Sequence, residues 1–134
     1  MSAAAGRVIL VVEDEAIIRM MLMDALEEAG FVTVEAGHAD AAIARLATRP
    51  DIAAVVTDLR MPGAMDGLGL AQWMRSHAAQ VPIIITSGLD RLPDGADLNP
   101  CILRVVTKPY DPVEVAGWVA ELFDPAAVPA ALPP

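Results

Sequence analysis

Five polar residues stand where apolar stretches of this 134-residue chain end. Glu13 and Asp14 close "RVILVVED", Asp58 closes "IAAVVTD", Thr86 closes "VPIIIT", and Lys108 follows "CILRVVT". Lys108 is the only lysine among nine cationic side chains, so its position calls for an anionic partner. Two carboxylates about 4 Å apart repel by roughly 4 kcal/mol at an effective dielectric near 20. Three acids gathered at one edge therefore require protonation or a cation. One lysine supplies a single charge, and a divalent ion is the natural complement. Carboxylate oxygens favour Mg²⁺ or Mn²⁺ over zinc. His38, His77 and Cys101 are scattered and form no zinc set; they read as surface histidines and a small core cysteine. A carboxylate beside a divalent cation, a hydroxyl and an ammonium suits phosphoryl transfer: the carboxylate is the nucleophile, and the cations offset charge on the transferred group. In that arrangement Lys108 pairs with a phosphoryl group on Asp58 while Thr86 hydrogen-bonds another of its oxygens.

Such a convergence requires the apolar stretches to be neighbouring strands. "RVILVVE" (7–13), "IAAVVTD" (52–58) and "VPIIIT" (81–86) are continuous and rich in Val and Ile, as in parallel strands buried on both faces. "FVTVEA" (31–36) and "CILRVV" (101–106) are weaker candidates. Helical spacing lies between them. Ile18, Met21, Leu22 and Ala25 form one predicted stripe, and Ala39, Ala42, Ile43 and Leu46 a second. Leu70, Ala71, Met74 and Ala78 form a third, and Val115, Trp118, Val119 and Leu122 a fourth. Asp111, Pro112 and Glu114 mark the start of the last helix, while Gly30 and Pro50 end the first two. The alternation predicts a doubly wound α/β sheet whose site lies beyond the carboxyl ends of the strands. Residues 88–100 hold two Gly and two Pro, so the fourth helical unit is expected to be reduced or irregular.

The length suits one domain, with a Pro/Ala-rich tail over 125–134 expected to be extended. Hydrophobic residues make up 55% and charged ones 20%, a globular balance. A net charge of −9 with no basic run argues against gripping nucleic acid. The single cysteine excludes an internal disulfide, and the N-terminus lacks the layout of a signal peptide or a membrane span. A soluble, cytoplasmic protein without a membrane partner is expected.

Over residues 6–124 the chain resembles the receiver domain of two-component response regulators. The resemblance rests on "VVEDE" (11–15), "VVTDLRMPGAMDG" (55–67), "IIITSG" (83–88) and "VVTKPY" (105–110), in that order. It implies a flavodoxin-like five-stranded sheet of order 2-1-3-4-5, the order such receivers already illustrate. It also implies a single-domain signalling protein that catalyses only its own phosphorylation and dephosphorylation. Asp58 matches the phosphoacceptor, Thr86 the switch hydroxyl and Lys108 the phosphoryl-binding lysine. Glu13, Asp14 and Asp58, with the backbone carbonyl of Arg60, match the Mg²⁺ ligands. The implied donor is a histidine kinase or a phosphotransfer protein, the readout is altered binding of a downstream protein, and Lys108–Pro109 matches a cis peptide.

Two departures bear on the relay. Val105 stands where receivers often carry an aromatic residue, and Ala64 extends the loop "MPGAMDG". A relay from Thr86 into the Gly/Pro-rich segment 88–100 is therefore expected. Arg60 is read as a solvated rim residue, with a phosphoryl contact as the alternative. Ile17, Met20 and Met23 fall off the predicted stripe of the first helix, Trp73 is expected to be exposed, and Trp118 partly buried. An aspartyl-phosphate-type phosphohydrolase is the competing function, although Asp58 is followed by Leu59 and Arg60 rather than by a D-x-D motif. A nucleotide- or flavin-binding module of similar architecture is a third reading. "EDEA" after the first strand would repel phosphate and is not a Gly-rich phosphate loop.

Overall fold

A computed structural model describes residues 6–59, 65–87 and 110–123, together with the backbone of 102–107. The strands are β1 (Val8–Val12), β2 (Val32–Ala36), β3 (Ile52–Asp58), β4 (Ile83–Ser87) and β5 (Ile102–Thr107). The helices are α1 (Ala16–Glu28), α2 (Ala39–Thr48), α3 (Gly67–His77) and α4 (Pro112–Glu121). All strand pairs are parallel and the order is β2-β1-β3-β4-β5, as expected. The expected irregularity of 88–100 and the tail over 125–134 lie outside the described residues.

Strand burial explains the sequence pattern. Every residue of β1 is buried, and β3 is buried except for Ala53, because helices cover both faces. On one face, Leu10, Val12, Val55, Ile83 and Ile85 pack with Ala42 of α2 and Leu70 and Met74 of α3. On the other, Ile9, Val11, Val56 and Ile84 pack with Leu22 and Leu26 of α1 and Val115 and Val119 of α4. β2 is an edge strand and alternates accordingly: Val34 and Ala36 are buried while Val32 and Glu35 face solvent.

Helix ends follow local chemistry. After α1, Gly30 takes a φ of 102°, a value that L side chains resist. Its N–H bonds the carbonyl of Glu27 and the N–H of Phe31 bonds that of Leu26, closing the helix in a Schellman motif. Asp111 caps α4 as expected, its carboxylate accepting from the N–H of Val113 at 2.9 Å. His38 caps α2 through Nδ1, which accepts from the N–H of Ala41.

Four side-chain placements differ from the sequence reading. Met21, on the predicted stripe of α1, is 51% exposed, and Leu26 is fully buried instead. The buried face of α1 points at the sheet and α4, which rotates the stripe toward Leu22, Ala25, Leu26 and the half-buried Met23. Trp73 is half-buried rather than exposed. From α3 it packs against the core and stacks on His77 with ring centroids 4.4 Å apart.

Candidate functional site

The carboxyl edge of the sheet carries the acids. The β1–β3 register ends at Val12 opposite Thr57, so Glu13 and Asp58 leave the two strands side by side. One carboxylate oxygen each from Glu13, Asp14 and Asp58 lies within 4.8 Å of the others. Glu13 and Asp58 are buried, whereas Asp14 is exposed. At 4.8 Å each pair of charges repels by about 3.5 kcal/mol at an effective dielectric near 20, before solvent screening reduces the share of Asp14. The donor set is all oxygen, part buried and part open to water. It suits a hard divalent cation that keeps several waters, as Mg²⁺ does.

Backbone contacts hold the ends of β1 and β3 in place. The N–H of Glu13 bonds the carbonyl of Ala36 at the end of β2. Its carboxylate accepts from the N–H of Glu15 at 3.1 Å, and its carbonyl accepts from Arg19 Nη1 at 2.7 Å. Glu15 sits exposed at the N-cap of α1, and its side chain makes no capping hydrogen bond. On the neighbouring strand, Asp58 stands opposite Thr86 in the β3–β4 register, and the N–H of Leu59 bonds the carbonyl of Thr86 at 2.7 Å. Thr86 is buried to 1% exposure beside the buried Asp58.

Gly67 packs against the backbone of Asp58 and Leu59. Its N–H bonds the carbonyl of Leu59, and α3 begins there with Asp66 capping the N–H of Gly69. A Cβ on Gly67 would stand 2.1 Å from the carbonyl oxygen of Asp58, so only a glycine lets α3 approach this closely.

The structure thus brings together Glu13, Asp14, Asp58 and Thr86. Lys108, the carbonyl of Arg60 and the Lys108–Pro109 peptide lie outside the described residues. Sequence reasoning missed Arg19 and Gly67. An arginine on a helix looks like a solvated face, and nothing in its spacing announces the carbonyl it meets. For Gly67 the signal was present: a glycine at the start of a helix, just after the capping Asp66, where other residues form better helices.

The response regulator receiver domain family matches residues 9–119. The regulatory protein AtoC of Escherichia coli is 34% identical over 105 residues, covering 77% of this chain and 22% of that protein. The phosphate regulon transcriptional regulatory protein PhoB of Pseudomonas aeruginosa is 33% identical over 122 residues, covering 84% of this chain and 49% of its own length. The chain thus spans half or less of these relatives. Among solved structures, a response regulator receiver protein from Pseudomonas putida superposes with a TM-score of 0.76 at 30% identity, covering 87% of this chain and 97% of that one. The response regulator TrrA from Thermotoga maritima, in complex with Mg²⁺–BeF, gives 0.77 at 26% identity, covering 87% and 98%. No helix among the described residues is long and apolar enough to cross a membrane.

Proposed function

The chain belongs to the response regulator receiver domain family, a family of signalling domains rather than of metabolic enzymes, and on that premise we propose that Asp58 is its phosphoacceptor. The observation that carries the reading is the gathering of Glu13, Asp14 and Asp58 within 4.8 Å, with Thr86 across the ladder from Asp58. An oxygen of Asp58 forms a P–O bond as the P–N bond of a phosphohistidine breaks, and the departing imidazole nitrogen takes up a proton. The donor is a histidine kinase or a phosphotransfer protein. Thr86 offers its hydroxyl to a phosphoryl oxygen, and Lys108, next after β5 in sequence, offers its ammonium to another. Glu13, Asp14, Asp58 and the Arg60 carbonyl would hold Mg²⁺, which supplies positive charge to the transferred group when bound. The phosphorylated state then binds a downstream protein differently, and the domain loses its phosphoryl group by its own hydrolysis.

Incubation with a small phosphodonor and Mg²⁺, followed by intact mass measurement, tests the reading. One phosphoryl adduct is expected on the wild type and none on Asp58→Asn. An adduct that persists in Asp58→Asn, or none on the wild type, overturns it.

A further inference from the structure

We propose that Arg19 is a positioning residue for the cation site: it holds the Glu13–Asp14 turn in the geometry that binds Mg²⁺. The inference rests on the acceptor reading above and extends it to a residue outside the acidic set.

Arg19 lies one turn into α1, with only 18% of its side chain exposed. Its guanidinium makes two directed contacts. Nη1 donates to the backbone carbonyl of Glu13 at 2.7 Å, and Nε donates to Oε1 of Glu35 on β2 at 2.9 Å. The planar fork therefore ties three elements together: the turn after β1, the first helix and the edge strand. Arginine does this where lysine cannot, because its donors are fixed relative to one another. The carbonyl it grips belongs to the peptide that joins Glu13 to Asp14. Rotation of that peptide would swing both acidic side chains relative to Asp58. The N–H of Glu13 is already held by Ala36 and its carboxylate by the N–H of Glu15, and Arg19 adds a third hold on the turn through the Glu13 carbonyl.

Charge and position act in opposite directions here, which makes the role measurable. Were Arg19 only a nearby positive charge, its removal would make the pocket more negative and tighten Mg²⁺ binding. As a positioning residue, its removal loosens two ligands and weakens binding. Groups that orient metal ligands typically change affinity by about 10- to 100-fold when lost.

The test is calorimetric titration of the full chain with Mg²⁺ alone, at a temperature where melting curves show each variant folded. Arg19→Met is expected to bind Mg²⁺ about 10-fold more weakly or worse. Arg19→Lys keeps the charge but not the fork, and is expected to fall between Arg19→Met and wild type. Arg49→Met is the matched charge control: it breaks an exposed ion pair with Asp51 just before β3, at the opposite edge of the sheet, and should leave the affinity unchanged. In phosphorylation by a small donor, the Mg²⁺ concentration for half-maximal rate should rise in Arg19→Met, while saturating Mg²⁺ restores most of the rate. If Arg19→Met or Arg19→Lys binds Mg²⁺ as tightly as wild type, the positioning role is wrong. Should Arg19→Met fail to fold, Arg19→Lys decides alone. A wild type that neither binds Mg²⁺ nor takes a phosphoryl group defeats the acceptor reading itself, a result distinct from tight binding by the variants.

Discussion

Replacing Gly67 with alanine isolates the close approach of α3 to the end of β3. The new methyl would sit 2.1 Å from the Asp58 carbonyl oxygen and 2.9 Å from both the Asp58 carbonyl carbon and the Leu59 Cα. Ordinary contact begins at 3.4 Å, so something must move by about 1.3 Å, and every obstacle is backbone. Gly67 does not take a positive φ, so alanine meets no conformational penalty there. By itself a compatible Gly→Ala change stabilises by about 0.4–1 kcal/mol through the unfolded chain. Overpacking costs about 1–3 kcal/mol, and rigid obstacles place it at the upper end. The balance is a loss of about 2 kcal/mol, or roughly 6–10 °C in melting temperature for a chain of this size. Because the displaced atoms are the backbone of Asp58, phosphorylation should slow as well, by about 100-fold for a shift near 1 Å. Gly117 is the internal control: it lies exposed within α4 with nothing within 4 Å of an added Cβ, so alanine there should stabilise by about 0.8–1 kcal/mol. Thermal melts and the rate of adduct formation measure both variants. If Gly67→Ala melts and phosphorylates like wild type, the steric argument is refuted.

Two further outcomes are expected. Asp14→Ala should lose most Mg²⁺ affinity in calorimetric titration while melting no lower than wild type without metal, since an exposed charge leaves a repelling cluster. The carboxyl of Asp51 is held below its ordinary value, chiefly by its hydrogen bond from Arg49, so its stabilising share is present above about pH 4 and lost as pH falls through the lowered value. The melting temperature of wild type should therefore exceed that of Asp51→Asn slightly at neutral pH, with the gap closing in acid.

The central strands were legible because burial on both faces leaves unbroken runs of Val and Ile. The run "IAAVVTD" matches β3 from Ile52 to Asp58 residue for residue. Parallel neighbours then place strand-end acids together, so Glu13, Asp14 and Asp58 could be named before any coordinate. Helix faces were harder. Met20, Met21 and Met23 are chemically alike, and only the direction of the sheet and α4 decides that Met23 tucks in while the other two face solvent. Trp73 was misread because its neighbour across one helical turn, His77, offers a stacking surface that spacing alone does not suggest. The His38 cap was missed because histidine is an unusual cap, and its ring nitrogen is in place only once the backbone turns. Arg19 shows the general limit: a side chain that bonds a distant carbonyl leaves no periodic trace.

The acid cluster has a consequence for folding itself. Glu13 and Asp14 follow β1 and Asp58 ends β3, with all of α1, β2 and α2 between them in sequence, so the cluster exists only once β1 and β3 have paired. The unfolded chain disperses charge that the folded chain concentrates, and the repulsion is a standing load on the native state. A divalent cation that bound the folded chain alone would relieve that load and add further stability by mass action, about 2.7 kcal/mol at a hundred times its dissociation constant. On the proposed reading, survival against heat or proteolysis would be tied to the supply of free cation, and Glu13, Asp14 and Asp58 would also set how firmly the chain stays folded.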